Sequence, residues 1–187
     1  QWTKQMGTSR NDYGNGVTTD SSDNIYVVGR TGGGLDGNTN SGDYDIFLVK
    51  YNSSGTKQWT KQLGSSSGDY GKGVTIDSSG NVYVTGRTQG GLDENTNSGG
   101  MDIFLIKFYS SGTIQWTKQL GSSSYEIVEG VTTDSSGNIY VTGVTKGGLD
   151  GNTLEGIFFP GHDIFLVKYN SSGTKLWTKQ MGTSSNE

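Results

Sequence analysis

The sequence contains no cysteine and no alanine, and only one of its 187 residues is proline. The absence of cysteine excludes a disulfide framework, a thiolate metal site and a cysteine nucleophile. Alanine is the strongest helix former and glycine, with 32 residues, is among the weakest, so the composition disfavours helices. The remaining apolar residues are mainly Val, Ile, Leu, Tyr, Phe and Trp, which favour strands. The sequence therefore predicts an all-β protein.

Positive charge and long apolar runs are also scarce. The formal net charge is −4 at pH 7 and the isoelectric point is near 4.9, which predicts no basic surface for nucleic acid or for an anionic membrane. No apolar run approaches the roughly 20 residues that span a bilayer. We therefore expect no nucleic-acid partner and no membrane insertion. The richness in Ser, Thr, Asn and Gly without a free thiol favours an extracellular or cell-surface location on a bacterium.

The most prominent feature that is present is a repeat with a period of 57 residues. The segment WTKQ begins at Trp2, Trp59, Trp116 and Trp177. A DIFLVKY-like segment begins at Asp45, Asp102 and Asp163, and a DSSxN segment begins at Asp20, Asp77 and Asp134. Intervals that span the loop before Asp163 are 61 residues long, because that loop has four extra residues. The chain therefore consists of closely similar units.

Each period is predicted to form four short antiparallel strands. Glycine and asparagine supply the positive φ for a hairpin at DSSxN, and a second hairpin follows at SSG. The third strand, IFLVKY, has apolar residues on both faces, which is typical of a strand covered on both sides. Radial stacking of such units gives a β-propeller. We predict three four-stranded blades at 16–63, 73–120 and 130–181, plus one extra strand at 1–7 that is the outer strand of a preceding or partner blade.

The repeats resemble the bacterial β-propeller repeat family, often called the seven-bladed β-propeller repeat. The family pattern is a GVxxDSSGNxYVTGxT hairpin, then a D-x-F-x-x-K strand and a strand that contains Trp. Here the hairpins read GVTTDSSDNIYVVGRT, GVTIDSSGNVYVTGRT and GVTTDSSGNIYVTGVT, and the resemblance covers essentially the whole chain. The first copy has Asp23 where the others have Gly80 and Gly137, a substitution that the left-handed conformation tolerates. The resemblance implies a β-propeller and no particular function, with a sandwich or an open β-solenoid as the alternative.

Three blades and one extra strand do not close a ring at ordinary blade geometry. We expect the chain to be a window from a longer array, or to close with a second copy of itself as two times three blades. An unclosed stack leaves apolar blade faces exposed at each end. The expected partners are therefore further blades or other copies of the chain. We expect the isolated chain not to be a monodisperse monomer.

The loop between the second and third strands is the candidate metal site. It reads GGLDGNTNSGDYD in the first copy, and its alternating Asp and Asn oxygens are similar to the calcium loops of FG-GAP propeller blades. The candidate calcium ligands are Asp36, Asn38, Asn40, Asp45, Asp93, Asn95, Asn97, Asp102, Asp150, Asn152 and Asp163. Ser41 and Ser98 stand where the calcium motif has Gly, and we expect weak affinity, on the order of 10⁻⁴ to 10⁻³ M. The alternative is that Asp and Asn cap turns through their own backbone.

Groups suited to catalysis are few. His162 is the only histidine, which excludes a histidine-based metal site or nucleophile–base pair within this chain. Nine of the 18 acidic residues occupy three repeated positions, whereas a catalytic pair needs two different environments. We therefore predict that the chain is not an enzyme and needs no cofactor other than calcium. Asp20 and its copies are expected to accept backbone N–H bonds at the DSSxN turn.

Aromatic and cationic side chains are the remaining candidates for contacts. The predicted blade-docking residues are Trp59, Trp116 and Trp177, with sugar or base stacking as the alternative. The predicted partner contacts are Phe158, Phe159 and His162 in the longest loop, where the alternatives are an apolar cluster tucked over a blade edge and a solvated histidine. Arg30 and Arg87, replaced by Val144 in the third copy, are expected to bind anions if they are exposed at a loop edge.

Together these features favour a non-enzymatic, extracellular β-propeller module for binding or surface assembly. Its ligand, a protein or a glycan, is not identified by the sequence. One alternative is a scaffold within a larger propeller enzyme or cofactor protein. The other is a fibre-forming repeat protein in which unclosed arrays join end to end.

Overall fold

A computed structural model gives the fold of the chain and describes residues 1–155 and 161–182. It contains three four-stranded antiparallel sheets, each with its strands in chain order. Blade 1 comprises β1 (Asp12–Thr19), β2 (Ile25–Thr31), β3 (Asp45–Tyr51) and β4 (Lys57–Leu63). Blade 2 comprises β5 (Asp69–Ile76), β6 (Val82–Thr88), β7 (Asp102–Phe108) and β8 (Ile114–Leu120). Blade 3 comprises β9 (Glu126–Thr133), β10 (Ile139–Thr145), β11 (Asp163–Tyr169) and β12 (Lys175–Met181). The predicted all-β fold of three four-stranded blades is confirmed.

The hairpin between the first two strands of each blade turns through one residue with positive φ. This angle is 80° at Gly80, 76° at Gly137 and 59° at Asp23, so the first copy does hold an L-amino acid in the left-handed conformation. The second hairpin turns at Gly55, Gly112 and Gly173, where φ lies between 77° and 83°. Both predicted hairpins per blade are therefore present.

The first strand of each blade begins before its predicted start. These strands start at Asp12, Asp69 and Glu126, four residues ahead of the predicted boundaries, whereas the last strands end at the predicted positions. The pairing of the first two strands of each blade shifts register at a β-bulge, as between Gly14 and Gly16 in blade 1. A bulge interrupts the alternation of side chains along a strand. The alternating pattern therefore did not extend to the first four residues of these strands.

Residues 1–8 form no strand, in contrast to the extra strand predicted at 1–7. A strand needs a hydrogen-bonded neighbour, and the third strand of a preceding blade, which would supply one, is not among the described residues. Trp2 still lies against the second hairpin of blade 1. Its ring centroid is 6.5 Å from that of Tyr51, and its indole N–H donates to the Ser53 carbonyl oxygen at 3.4 Å. The segment therefore covers blade 1 without joining a sheet.

The core lies between the facing sheets. One cluster joins Ile46 and Leu48 of blade 1 to Val84 of blade 2, and a second joins Ile103 of blade 2 to Val141 of blade 3. All seven residues of β7 are buried, so the third strand of the middle blade is covered on both faces as predicted. β5 lies against β1, β2 and β3, and β9 lies against β5, β6 and β7. The blades therefore converge at their first strands, which is the radial arrangement of a propeller.

Candidate functional site

The first aspartate of each predicted calcium loop has a left-handed backbone and, in two loops, a lysine partner. φ is 52° at Asp36, 49° at Asp93 and 56° at Asp150. The Lys57 ammonium lies 2.5 Å from Asp36 Oδ1, and Lys175 forms the equivalent ion pair with Asp150. The hydrogen bond from Lys57 lowers the pKa of the Asp36 carboxyl. These two carboxylates are thus paired with protein cations.

The loop asparagines make turn-capping contacts. The side-chain amide of Asn38 donates to the Leu35 carbonyl oxygen at 2.7 Å, and Asn95 and Asn152 make the same contact with their own loop leucines at 2.7 and 2.8 Å. Asn40 and Asn97 donate to the last carbonyl of the second strand at 3.4 Å. Within residues 1–155 and 161–182, no group of three or more His, Asp or Glu side chains is arranged to hold a metal ion. The calcium site stays a prediction.

A glutamine that sequence reasoning missed anchors each of these loops. In blade 2 the Gln119 Oε1 accepts the Leu92 N–H at 3.1 Å. Its Nε2 donates to the Gly90 carbonyl oxygen and to Asp102 Oδ2, both at 3.0 Å. Asp102 Oδ2 also accepts the Ser98 N–H at 2.9 Å. Equivalent glutamine contacts, made by Gln62 and Gln180, reach Asp45 and Asp163. The signal was the Q of WTKQ, which recurs in every copy but reads as an ordinary polar strand residue.

Buried carboxylates at the joints between blades were also missed. Asp69 and Glu126, the first residues of β5 and β9, are fully buried, as are Asp45 and Asp102 of the preceding blades. A Cβ on Gly64 would stand within 3.0 Å of both the Asp45 and the Asp69 carboxylates, so the two groups flank this glycine. Burial, with a smaller effect of the Asp45 charge, raises the pKa of Asp69. The joint between blades 1 and 2 therefore brings two carboxylates from neighbouring blades together.

The DSSxN aspartates cap their turns, as predicted. Asp134 Oδ1 accepts the backbone N–H groups of Ser136 and Asn138, both at 2.9 Å, and Oδ2 accepts the Tyr140 hydroxyl at 3.0 Å. Asp20 and Asp77 make the corresponding contacts. The side-chain hydrogen bond from Asn138, aided by the others, lowers the pKa of Asp134 to about 2. These repeated acids are structural.

The structure describes the predicted blade-docking tryptophans and only part of the predicted partner-contact group. Phe158 and Phe159 lie outside the described residues, and His162 is exposed. Trp59 lies close to Gly112 in the second hairpin of blade 2, and Trp116 lies close to Gly173 in that of blade 3. Trp177 packs against Tyr140 of its own blade, with ring centroids 6.2 Å apart. Trp59 and Trp116 thus reach from one blade to the next.

A cavity of 240 Å³ opens beside the first strands of the three blades. Its lining includes Asn15, Arg30, Tyr70, Lys72, Arg87 and Glu129. The guanidinium carbon of Arg30 lies 4.2 Å from the centre of the Tyr13 ring and 5.3 Å from that of Tyr70, and Arg87 lies 5.3 Å from the same Tyr70 ring. These are cation–π distances. Two cationic side chains therefore share one aromatic ring in one cavity.

Sheets that converge on their first strands, with Trp59 and Trp116 reaching from one blade to the next, define a β-propeller array. The chain belongs to the β-propeller repeat (SBBP) family, whose model matches residues 1–36, 58–93 and 115–150. The family resemblance drawn from the hairpin motifs is thereby confirmed. Among the described residues, no helix is long and apolar enough to cross a membrane.

Two curated relatives are similar to the chain. Uncharacterized WD repeat-containing protein L264 of Acanthamoeba polyphaga mimivirus is 27% identical over 233 residues, an alignment that covers 99% of this chain and 17% of the relative. Regulatory protein FlaEY of Caulobacter vibrioides is 26% identical over 181 residues, which cover 87% of this chain and 19% of the relative. The chain thus spans less than a fifth of the length of either relative. The similarity supports a repeat module.

Proposed function

We propose that the chain is a non-enzymatic, extracellular β-propeller module that assembles by docking a further blade of the same repeat. In a longer chain the docked blade is the next one along. For the isolated chain it is blade 1 of a second copy. The proposal rests on the exposed face of blade 3.

One repeated position on the third strand carries this proposal. Ile46 of blade 1 is fully buried and Ile103 of blade 2 is 3% exposed, because the following blade covers each of them. Ile164, at the same position of blade 3, is 52% exposed. An exposed isoleucine at a position built to be covered marks a face that lacks its neighbour.

The opposite end of the array presents the complementary face. Val74 of β5 and Val131 of β9 are half-buried in the clusters that contain Ile46 and Ile103. Val17, at the same position of β1, is 66% exposed. The Ile164 face of one copy therefore matches the Val17 face of another. Such head-to-tail contacts close into a ring or continue into a fibre, according to the rotation at each joint.

Matched charge substitutions test the proposal. Ile164→Asp places a carboxylate on the exposed blade face, and we expect it to abolish association in sedimentation velocity, because burying an unpaired charge is costly. Ile114→Asp adds the same charge at an exposed residue of β8 and is expected to leave association unchanged. Equal association by the two variants would refute docking through the blade 3 face.

Calcium stabilisation and the surface location remain separate parts of the proposal. The thermal unfolding midpoint, measured in millimolar calcium and again with chelator, decides the first. A midpoint that rises in calcium and returns with chelator supports calcium binding by the Asp and Asn loops. An unchanged midpoint would refute calcium binding. The surface location is supported by composition, and labelling of intact cells with an antibody against the chain tests it.

A further inference from the structure

We propose that the cavity beside the first strands binds a small ligand through an oxyanion, a carboxylate or phosphate group, held between Arg30 and Arg87. Among the described residues neither arginine forms an ion pair with an acidic side chain. The Arg30 Nε is buried and has no hydrogen-bond partner there. A guanidinium carries five N–H donors in a planar fork that matches carboxylate and phosphate oxygens. The cavity therefore presents donors that lack acceptors.

The charge of the lining also favours an anion. Arg30, Arg87 and Lys72 carry three positive charges, and Glu129 is the one acid in the lining. Lys72 and Glu129 approach to 3.2 Å, but both side chains are about half exposed, so the pair is weak. The cavity is thus locally cationic in a chain whose net charge is −4. Two like charges around one ring repel each other, and a bound oxyanion relieves that repulsion.

Aromatic rings hold the first arginine in place. The guanidinium carbon of Arg30 lies 4.2, 5.4 and 5.3 Å from the ring centres of Tyr13, Tyr44 and Tyr70. These contacts restrict the side chain and supply no hydrogen-bond acceptor, so the N–H groups stay available. A side chain that is ordered before binding loses less conformational entropy on binding a ligand. The site is therefore partly preorganised.

Comparison of the repeats shows that the fold does not require the arginines and tyrosines at this cavity. Blade 3 has Val144 at the position of the arginines and Ile127 at the position of Tyr13 and Tyr70. It nevertheless forms the same four strands in the same order. The arginine and tyrosine are thus not needed to build a blade. Both arginines nevertheless line the same cavity, which points to a role in binding.

Titration calorimetry of the intact chain at low ionic strength tests the proposal, with inorganic phosphate and D-glucuronate as probes and D-glucose as the neutral control. We expect saturable binding of at least one oxyanion and none of glucose. Phosphate alone indicates a site for a free oxyanion, and tighter glucuronate indicates an acidic sugar. Arg87→Met is expected to weaken binding at least about tenfold. Lys179→Met removes one positive charge from the outer strand β12 and is expected to leave binding unchanged.

A second variant keeps the test decisive if Arg87→Met also lowers the unfolding midpoint. Glu129→Gln removes the acid from the lining and is expected to tighten oxyanion binding about threefold. The proposal is overturned if neither oxyanion binds saturably. It is equally overturned if both Arg87→Met and Glu129→Gln bind as the unmodified chain does.

Discussion

At the residue scale, the glycine near the end of each second strand is closely packed against backbone. A Cβ at Gly29, Gly86 or Gly143 would stand closer than 3.0 Å to a backbone carbonyl oxygen of the first strand. It would also meet the ring of a third-strand phenylalanine. A backbone atom cannot move aside as a flexible side chain can, so only glycine fits here. The G of YVTGRT is therefore a packing requirement of the blade.

Gly86→Ala tests this requirement. The added methyl group would collide with the Tyr70 carbonyl oxygen and the Phe104 ring, so we expect a loss of about 3 kcal/mol in the free energy of unfolding. Gly130→Ala is the matched control, because its Cβ would meet only Thr142 Cγ2, at 3.7 Å. Urea unfolding of both variants measures the difference. Equal losses would contradict the account.

The DSSxN carboxylates predict a dependence of stability on pH. Hydrogen bonds in the folded state lower the pKa of Asp134 to about 2, below its ordinary value of 3.8. A depressed pKa adds stability above the unfolded-state value and loses it as pH falls through the folded-state value. We therefore expect the free energy of unfolding to decline between about pH 4 and pH 2. Asp134→Asn should be less stable at pH 5 and decline less steeply. An unchanged slope in the variant would exclude this carboxylate as a contributor.

At the element scale, one glutamine of the fourth strand anchors the loop between the second and third strands to the sheet. Gln119 of β8 binds the backbone of the loop at Gly90 and Leu92, and it also binds Asp102 at the start of β7. One side chain thus joins the fourth strand, the loop and the third strand. Gln62 and Gln180 accept the equivalent N–H groups of Leu35 and Leu149 in the other two blades.

Gln119→Leu tests the anchor. The substitution removes three hydrogen bonds and leaves the buried Asp102 carboxylate with fewer donors, so we expect a loss of about 3 kcal/mol in the free energy of unfolding. Gln58→Leu, at an exposed position on the fourth strand of blade 1, is expected to change stability by less than about 0.5 kcal/mol. Chemical denaturation compares the two. A small effect at Gln119 would mean that the loop holds its course without the glutamine.

Features set by residues close together in the chain could be predicted from the sequence, whereas features set by contacts between distant segments could not. The hairpins follow from turn residues at fixed positions, and Asp20 caps a turn four residues long, so both could be predicted. The oxygens of Asp36 and Asn38 suggested calcium, but their partners in the structure include Lys57, which lies about 20 residues further along the chain. The contact of Gln119 with Asp102 likewise depends on strand pairing. Such contacts between distant segments are not encoded in spacing alone.

At the scale of the whole molecule, the chain is an array with two unlike ends. Ile164 is exposed on blade 3 and Val17 is exposed on blade 1, whereas their copies inside the array are covered wholly or in part. The exposed apolar faces at both ends could be predicted from the repeat, because equivalent positions in a stack have similar surroundings except at its ends. The cavity around Arg30 and Arg87 could not be located in the same way, since its lining comes from three different blades.

The mass of the unmodified chain in solution tests the central claim most directly. Light scattering over a series of concentrations measures it, and one chain weighs 19.9 kDa. If blade 3 docks blade 1 of a second copy, the mean mass will exceed that of one chain and fall toward it on dilution, or will hold at a whole multiple of it. A mass that stays at 19.9 kDa at every concentration would contradict the account.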